Sequence, residues 1–336
     1  MKVLRILGKL LLGLLSLSLV GLLVALYMYR DVPVEVLEAR YGNEASQYME
    51  VAGVRLHYRD EGPRDAPAVV LVHANFASLL GWEPWAEALK DKYRVVRFDM
   101  TSHGLTGPDP TGDYTLERTL EITEAFIDEL GLNNITIGGT SLGGTVSVFY
   151  TIRNPERVDN LILLSPGSLE GKEQQARRGD VPDAAYVLKY IMPRALPKLM
   201  LDQGFAPDPA PDYLVDRWFE LWRYPGQREA QLDRLRQYDS GDIEAVFATV
   251  EAPVLLLWGE ANTTAKFEQH EEVIHMLNNA ENIYFVSYPD VGHMAVQEAG
   301  DVIAVDVRAY LDNELDPAKI VYKKSTNHSN DSSGNH

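Results

Sequence analysis

Ser141 stands between two glycines, Gly139 and Gly143, in the pattern G-x-S-x-G. The residues before it, Ile135, Thr136 and Ile137, suit a short buried strand because two of the three are isoleucine and all are β-branched. Those after it, residues 145–150, can continue as a buried helix. A serine held on a sharp strand-to-helix turn presents its hydroxyl above the sheet, and flanking glycines let neighbouring backbone approach closely. The helix N-terminus aims amide N–H groups at the same point, which favours a developing oxyanion. The chemistry implied is nucleophilic attack by an alcohol, which is weak at neutral pH and needs a base in contact. His293 is the candidate base, in the short loop Pro289-Asp-Val-Gly-His293 that follows an apolar strand.

Composition bounds what these residues can serve. The chain has 336 residues, 46% hydrophobic and 24% charged, enough for a sizeable core. A formal net charge of −18 argues against nucleic acid as a partner and against general attraction to anionic lipid surfaces. There is no cysteine, which excludes disulfides, thiol catalysis and cysteine-based metal sites.

The two ends stand apart from the rest. Lys2, Arg5 and Lys9 precede residues 10–29, which carry no charge. At ~1.5 Å per residue that run reaches about 30 Å, the thickness of a bilayer core. No clear small-residue cleavage site follows it, and Tyr27, Tyr29 and Arg30 resemble an interfacial belt. Residues 1–30 therefore read as an uncleaved, single-pass signal-anchor. Its flanking positive charges put the N-terminus inside and the remaining chain outside, that is, periplasmic, extracellular or lumenal. Residues 31–47 read as a connecting stalk with one amphipathic stretch. Residues 316–336 are polar and expected to be disordered, with His328 and His336 solvated.

Between the ends, strands and helices alternate. Residues 51–58 read as a hairpin. The runs 68–73, 93–99, 135–137 and 161–164 are apolar enough for strands buried on both faces. Helical spacing occupies 82–89 and 115–130. This rhythm indicates a doubly wound, mostly parallel α/β sheet. Residues 166–250 break it with Pro, Arg, Asp and aromatics in helical segments (184–192, 211–223 and 228–238), and read as an inserted helical lid. Strand patterns resume at 254–258 and 283–288, and residues 302–311 close the domain as a helix. The core is thus 48–165 with 251–315.

From about residue 48 to 312 the chain resembles an α/β-hydrolase fold serine hydrolase, esterase- or lipase-like. Five signatures fall in order: Leu71-Val-His73-Ala-Asn75 where the family has a His-Gly-x turn, Asp99-Met-Thr-Ser-His-Gly-Leu-Thr106, the elbow around Ser141, the strand end Leu257-Trp-Gly-Glu260, and Gly292-His293. The resemblance implies Ser141 as nucleophile and His293 as base, with an oxyanion hole from the backbone amides of Leu142 and Asn75. The Asn75 side chain is a further possible donor. Ala74 replaces the family's glycine, leaving less freedom for positive φ at that turn, and His73 and His103 take structural roles. No cofactor or metal is implied.

The triad's acid departs from the pattern. The family's aspartate falls on Asn262, and an amide can orient an imidazole but cannot stabilise an imidazolium. Three assignments stay open: Asn262 serves directly, the acid has moved to Glu260, or it comes from the loop after residue 164, where Glu170 is the nearest carboxylate.

Serine at the elbow implies acyl transfer through an acyl-enzyme, hence a small, lipophilic ester or related acyl substrate. Tyr190, Phe205, Trp218, Phe219, Trp222 and Tyr224 are available either to line an acyl pocket or to glue lid helices to the core. A serine-dependent lyase or haloperoxidase would share these motifs. The competing class is a lapsed hydrolase used as a binding module, supported by Asn262, Ala74 and Ser102. Protein partners are not specified by the sequence.

Overall fold

The computed structural model describes residues 2–167, 181–320 and 322–325. Helix α1 (Lys2–Met28) is followed by α2 (Val34–Tyr41) and the strand pair β1 (Ser46–Val51) and β2 (Val54–Glu61). The alternating core comprises β3 (Ala68–Val72), α3 (Glu83–Leu89), β4 (Arg94–Phe98), α4 (Leu116–Glu129), β5 (Ile135–Ser141), α5 (Leu142–Arg153) and β6 (Val158–Pro166). The described part of the insertion holds a 3₁₀ segment (Asp183–Lys189), α6 (Ala195–Gly204), α7 (Asp212–Leu221), α8 (Gln227–Gln237) and α9 (Ile243–Phe247). The core resumes with β7 (Val254–Gly259), α10 (Gln269–Met276), β8 (Asn282–Tyr288), α11 (Ala295–Glu298), α12 (Gly300–Leu311) and β9 (Tyr322–Ser325).

Among the described residues the strands form one nine-stranded sheet in the order β1-β2-β4-β3-β5-β6-β7-β8-β9. The pairs from β4 through β8 are parallel, and β1, β2 and β9 join antiparallel at the margins. Burial explains why inner strands read as unbroken apolar runs. Along β3, Val70 and Val72 pack with Phe126, Val146 and Val148 on one face. Val69 and Leu71 pack with Trp82, Trp85, Ile303 and Val307 on the other. Side chains alternate across the sheet, and both faces are covered by helices. All parallel strands end on one side, so β5, β6, β7 and β8 deliver their following loops to one edge.

Three expectations change. The stalk is not free: Leu37 of α2 is fully buried with Leu105 and Leu221, because its apolar face finds the insertion. The polar tail contributes β9, whose Tyr322 and Lys323 lie opposite Phe285 and Tyr284; strand pairing is a backbone interaction and needs no apolar signal. The segment expected to be helical over 184–192 is a 3₁₀ helix ending at Lys189, with Pro193 beyond it. Glu170 and the tail histidines lie outside the described residues. Helix α1 is long and apolar enough to cross a membrane over Arg5–Met28.

Candidate active site

Ser141 is the last residue of β5 and adopts φ 51, ψ −121, a conformation that L-residues other than glycine rarely take. What holds it is the close approach that both glycines permit. A Cβ on Gly139 would lie 2.2 Å from the Gly143 backbone, and one on Gly143 would lie 2.1 Å from the Val72 carbonyl oxygen. The elbow is thus wedged against the end of β3. Leu142 opens α5, so its N–H has no acceptor within the helix and is free to face a ligand oxygen.

The turn after β3 is held by two neutral histidines. His73 Nδ1 donates to the Ala74 carbonyl (2.7 Å) and its Nε2 accepts from the Met100 N–H (3.0 Å). His103 Nδ1 donates to the Thr101 carbonyl (2.8 Å), and its Nε2 accepts from the Phe76 N–H (3.0 Å). Burial pushes the pKa of His73 down, and that of His103 well down. The Asn75 side-chain amide also meets His103 Nε2, at 3.0 Å. The atom facing the ring is Asn75 Oδ1, and the single lone pair of Nε2 is already taken by the Phe76 N–H, so the two are in contact without a hydrogen bond. Positive φ at this turn falls on Phe76 (64°) and not on Ala74, so the missing glycine is not where the strain sits.

His293 follows β8 and is placed by its own loop. Its N–H donates to the Gly204 carbonyl (2.6 Å) at the end of α6. Glu298 accepts from the N–H groups of Gly292 (2.8 Å) and Ala206 (2.9 Å), clamping this loop to the insertion. No sequence signal marks Glu298.

Asn262 lies beside the ring, 4% exposed. Its Nδ2 stands 3.2 Å from His293 Nδ1 and 3.2 Å from Ser165 Oγ. Its Oδ1 accepts from the backbone N–H groups of Thr264 (3.0 Å) and Ala265 (2.9 Å). Only the oxygen can accept those two bonds, so the NH₂ must face the ring. Nδ1 is then an acceptor, and the proton of the neutral imidazole sits on Nε2. Burial lowers the His293 pKa to about 4.

Ser165, fully buried with φ 43, ends β6 next to the elbow. Ser141 lies opposite Pro166 in the sheet, and the Gly167 N–H donates to the Ser141 carbonyl (2.9 Å). Ser141, Ser165, Asn262 and His293 thus gather at the C-terminal ends of four adjacent strands. Glu260 does not join them: it is exposed and accepts from the Ser287 hydroxyl at 2.7 Å. Ser165 escaped the sequence reading, although its strand end is one of the positions considered for the acid.

The insertion roofs this region with an apolar cluster. Trp218, Trp222 and Phe205 pack with Ala74, Phe76, Leu201 and Met294. The Trp222 indole N–H donates to the Phe76 carbonyl at 3.1 Å. Phe219 packs at the margin of this cluster, and Tyr224 and Tyr190 serve elsewhere. Phe219 meets Tyr29, Tyr224 packs in the small cluster that holds Leu37, and Tyr190 is exposed.

A second tie is a buried cation. Arg234 of α8, 1% exposed, donates to Ser102 Oγ (3.0 Å), Thr119 Oγ1 (3.1 Å) and the Thr101 carbonyl (2.8 Å) and hydroxyl (2.7 Å). The same Thr101 carbonyl takes the His103 proton, so α8 is linked through three hydrogen bonds to the turn after β3. Ser102 holds φ 64, and its hydroxyl gives Arg234 an acceptor that glycine would lack.

Comparisons agree with this architecture. A family model described as alpha/beta hydrolase fold matches residues 67–299. A curated relative is the cis-3-alkyl-4-alkyloxetan-2-one decarboxylase of Shewanella oneidensis, 25% identical over 288 residues, covering 77% of this chain and 86% of that protein. Among solved structures, a membrane phospholipase A described as a bacterial virulence factor aligns with TM-score 0.69 and 22% identity, over 91% of this chain and 99% of that one. A thermophilic esterase from Thermogutta terrifontis aligns with TM-score 0.67 and 20% identity, over 81% and 99%.

Proposed function

The chain belongs to the α/β-hydrolase family and is a hydrolase, and on that premise we propose that it cleaves an ester, or a related acyl bond, of a small lipophilic substrate through an acyl-enzyme on Ser141. The observation that carries this reading is the strained Ser141 at the head of α5, gathered with His293 at one edge of the sheet. Ser141 Oγ attacks the carbonyl carbon while His293 Nε2 takes its proton. The N–H groups of Leu142 and Asn75 receive the oxyanion, and the protonated imidazole returns its proton to the leaving alcohol. Water, deprotonated by the same ring, then releases the acid. The cluster of Trp218, Trp222 and Phe205 supports an apolar acyl group. Helix α1 supports attachment to a membrane, with the hydrolase domain outside.

Asn262 sets the pace. For Nε2 to accept a proton, the ring must first move its hydrogen to Nδ1, where it meets the Asn262 NH₂, donor against donor. In serine proteases the corresponding aspartate-to-asparagine change costs about 10⁴ in kcat through this tautomer. The reading is therefore of a slow hydrolase. The same observation favours a second reading, a binding module that keeps the ester pocket and has given up turnover.

A fluorophosphonate probe separates the two. Labelling of the detergent-solubilised full chain that is lost in Ser141→Ala and strongly reduced in His293→Ala supports the hydrolase. A folded wild-type protein that stays unlabelled over hours overturns it in favour of the binding module.

A further inference from the structure

We propose that the edge of the insertion formed by residues 183–190 rests in the headgroup layer of the bilayer that α1 crosses, so that the site draws its substrate from that leaflet. This rests on reading α1 as a membrane span. The apolar stretch Arg5–Met28 is 24 residues long, about 36 Å at ~1.5 Å per residue, which fills a hydrocarbon core of about 30 Å up to its last turn.

The end of α1 is fastened to the insertion. The Val32 N–H donates to the Arg223 carbonyl (2.7 Å), Arg223 donates to the Met28 carbonyl (3.3 Å), and Arg228 pairs with Asp31 (2.6 Å). Tyr29 meets Phe219 edge-on, ring centres 6.5 Å apart. Between the two parts lies a crevice of about 410 Å³, lined by Leu26 and Arg30 on one side and by Lys189, Tyr190 and Arg228 on the other. Leu26 sits inside α1, roughly 3 Å below its end. Tyr190 and Lys189, which line this crevice with Leu26, lie within one crevice width of the last apolar turn of the span.

The chemistry of that edge suits the depth. Val187 is 57% and Tyr190 56% exposed, and Lys189 stands 5.1 Å from the Tyr190 ring centre. On the anchor, Arg30 lies over the Tyr27 ring at 4.0 Å. Tyrosines paired with basic groups are at home where apolar rings meet chains and charges meet phosphates. Lys189 and Arg228 are each paired with a carboxylate, Glu229 and Asp31, so the edge carries little net charge and fits a zwitterionic phospholipid layer. Leu199 on α6 and Tyr213 on α7 are also exposed.

The consequence for the site follows from α7. Its Phe219 touches Tyr29 at the anchor's exit, while Trp218 packs on Trp222, whose ring lies 5.0 Å from Phe76 beside the site. One helix, about 10 Å across, separates the leaflet from the turn after β3. An amphiphile whose acyl chain stays in the leaflet can then present its ester to Ser141.

The absence of cysteine makes the test direct. Full-length single-cysteine variants Val187→Cys, Tyr190→Cys, Leu17→Cys and Val302→Cys are labelled with bimane and reconstituted in two sets of phosphatidylcholine vesicles, one with a shallow doxyl-lipid quencher that reads positions 187, 190 and 302 and one with a deep doxyl-lipid quencher that reads position 17. Val302 is exposed on α12, on an element packed against α3, and serves as the aqueous reference. Quenching at 187 and 190 at least threefold stronger than at 302, with the reverse order for aqueous iodide, supports the proposal. Lipid quenching at 17 with 187 and 190 indistinguishable from 302 overturns it and leaves the anchor standing. No lipid quenching at 17 overturns the anchor and the proposal together.

Discussion

At Asn262, four groups converge on one amide: two backbone N–H donors, the Ser165 hydroxyl and His293 Nδ1. A carboxylate could satisfy all of them, one oxygen taking the Thr264 and Ala265 N–H bonds and the other taking Nδ1–H and the Ser165 proton. The pocket is thus already shaped for an acid. Asn262→Asp is expected to restore the Nδ1–H tautomer and to raise the rate of fluorophosphonate labelling by as much as about 10⁴. It should also move the acid limb of the pH–rate profile. In the wild type that limb lies near the lowered His293 pKa of about 4; a neighbouring negative charge favours the imidazolium, so the limb shifts upward in the variant. A rate and profile unchanged by Asn262→Asp would show that this position does not govern the ring.

Elements are held in register by contacts that a substitution can remove one at a time. Gly143 has no room for a side chain, since its Cβ would collide with backbone at Val72 rather than with a side chain that can turn aside. Gly143→Ala should cost several kcal/mol, about 3 or more, and abolish labelling with it; denaturant titration beside the probe assay measures both. Arg234 tests the insertion's attachment. Burial lowers its pKa to about 10, and among the described residues its hydrogen-bond partners include no carboxylate. Arg234→Ala leaves buried Thr101, Ser102 and Thr119 oxygens without their donor and opens a cavity, with an expected loss of about 3 kcal/mol. Because Thr101 also anchors His103, labelling should slow in Arg234→Ala even at temperatures where the protein stays folded. Arg234→Lys keeps the charge but not the fork, and should fall between the two.

Over the whole molecule, stability is coupled to the burial of uncharged imidazoles. His73 and His103 are buried and His293 is half-buried, all with pKa values below the usual 6.5. Each therefore binds a proton more readily in the unfolded chain than in the native one. By linkage the native state gains from all three above about pH 6.5 and loses that gain as pH falls from there toward 4. The midpoint of denaturant unfolding should drop between pH 7.5 and pH 5, and a midpoint that rises over this range would contradict the neutral assignment of these rings. In the buried pair of His57 and Asp99, 2.7 Å apart, the carboxylate also accepts the Leu79 (2.7 Å) and Leu105 (2.9 Å) N–H groups, so it ties β2 to two loops of the same edge.

The chain by itself determined the architecture, because each element announces its own surroundings. Apolar runs such as residues 254–258 can only be strands covered on both faces, helical spacing over 115–130 can only present one stripe to them, and glycines at 139 and 143 mark a backbone approach that no other residue allows. The positions of Ser141, His293 and Asn262 along the chain were legible for the same reason: each follows a strand that the pattern locates. What the tertiary structure alone decided is how groups far apart in sequence divide their hydrogen bonds. Residue order cannot say that Thr264 and Ala265 claim the Asn262 oxygen and so turn its NH₂ to the ring, or that Ser165 waits beside it. Nor can it say that Arg234, on one of the insertion's helices, is buried against the 101–102 turn, or that a short polar stalk docks on the insertion. Donors and acceptors are satisfied by whatever neighbours the fold supplies, and that assignment exists only once the strands have brought them together.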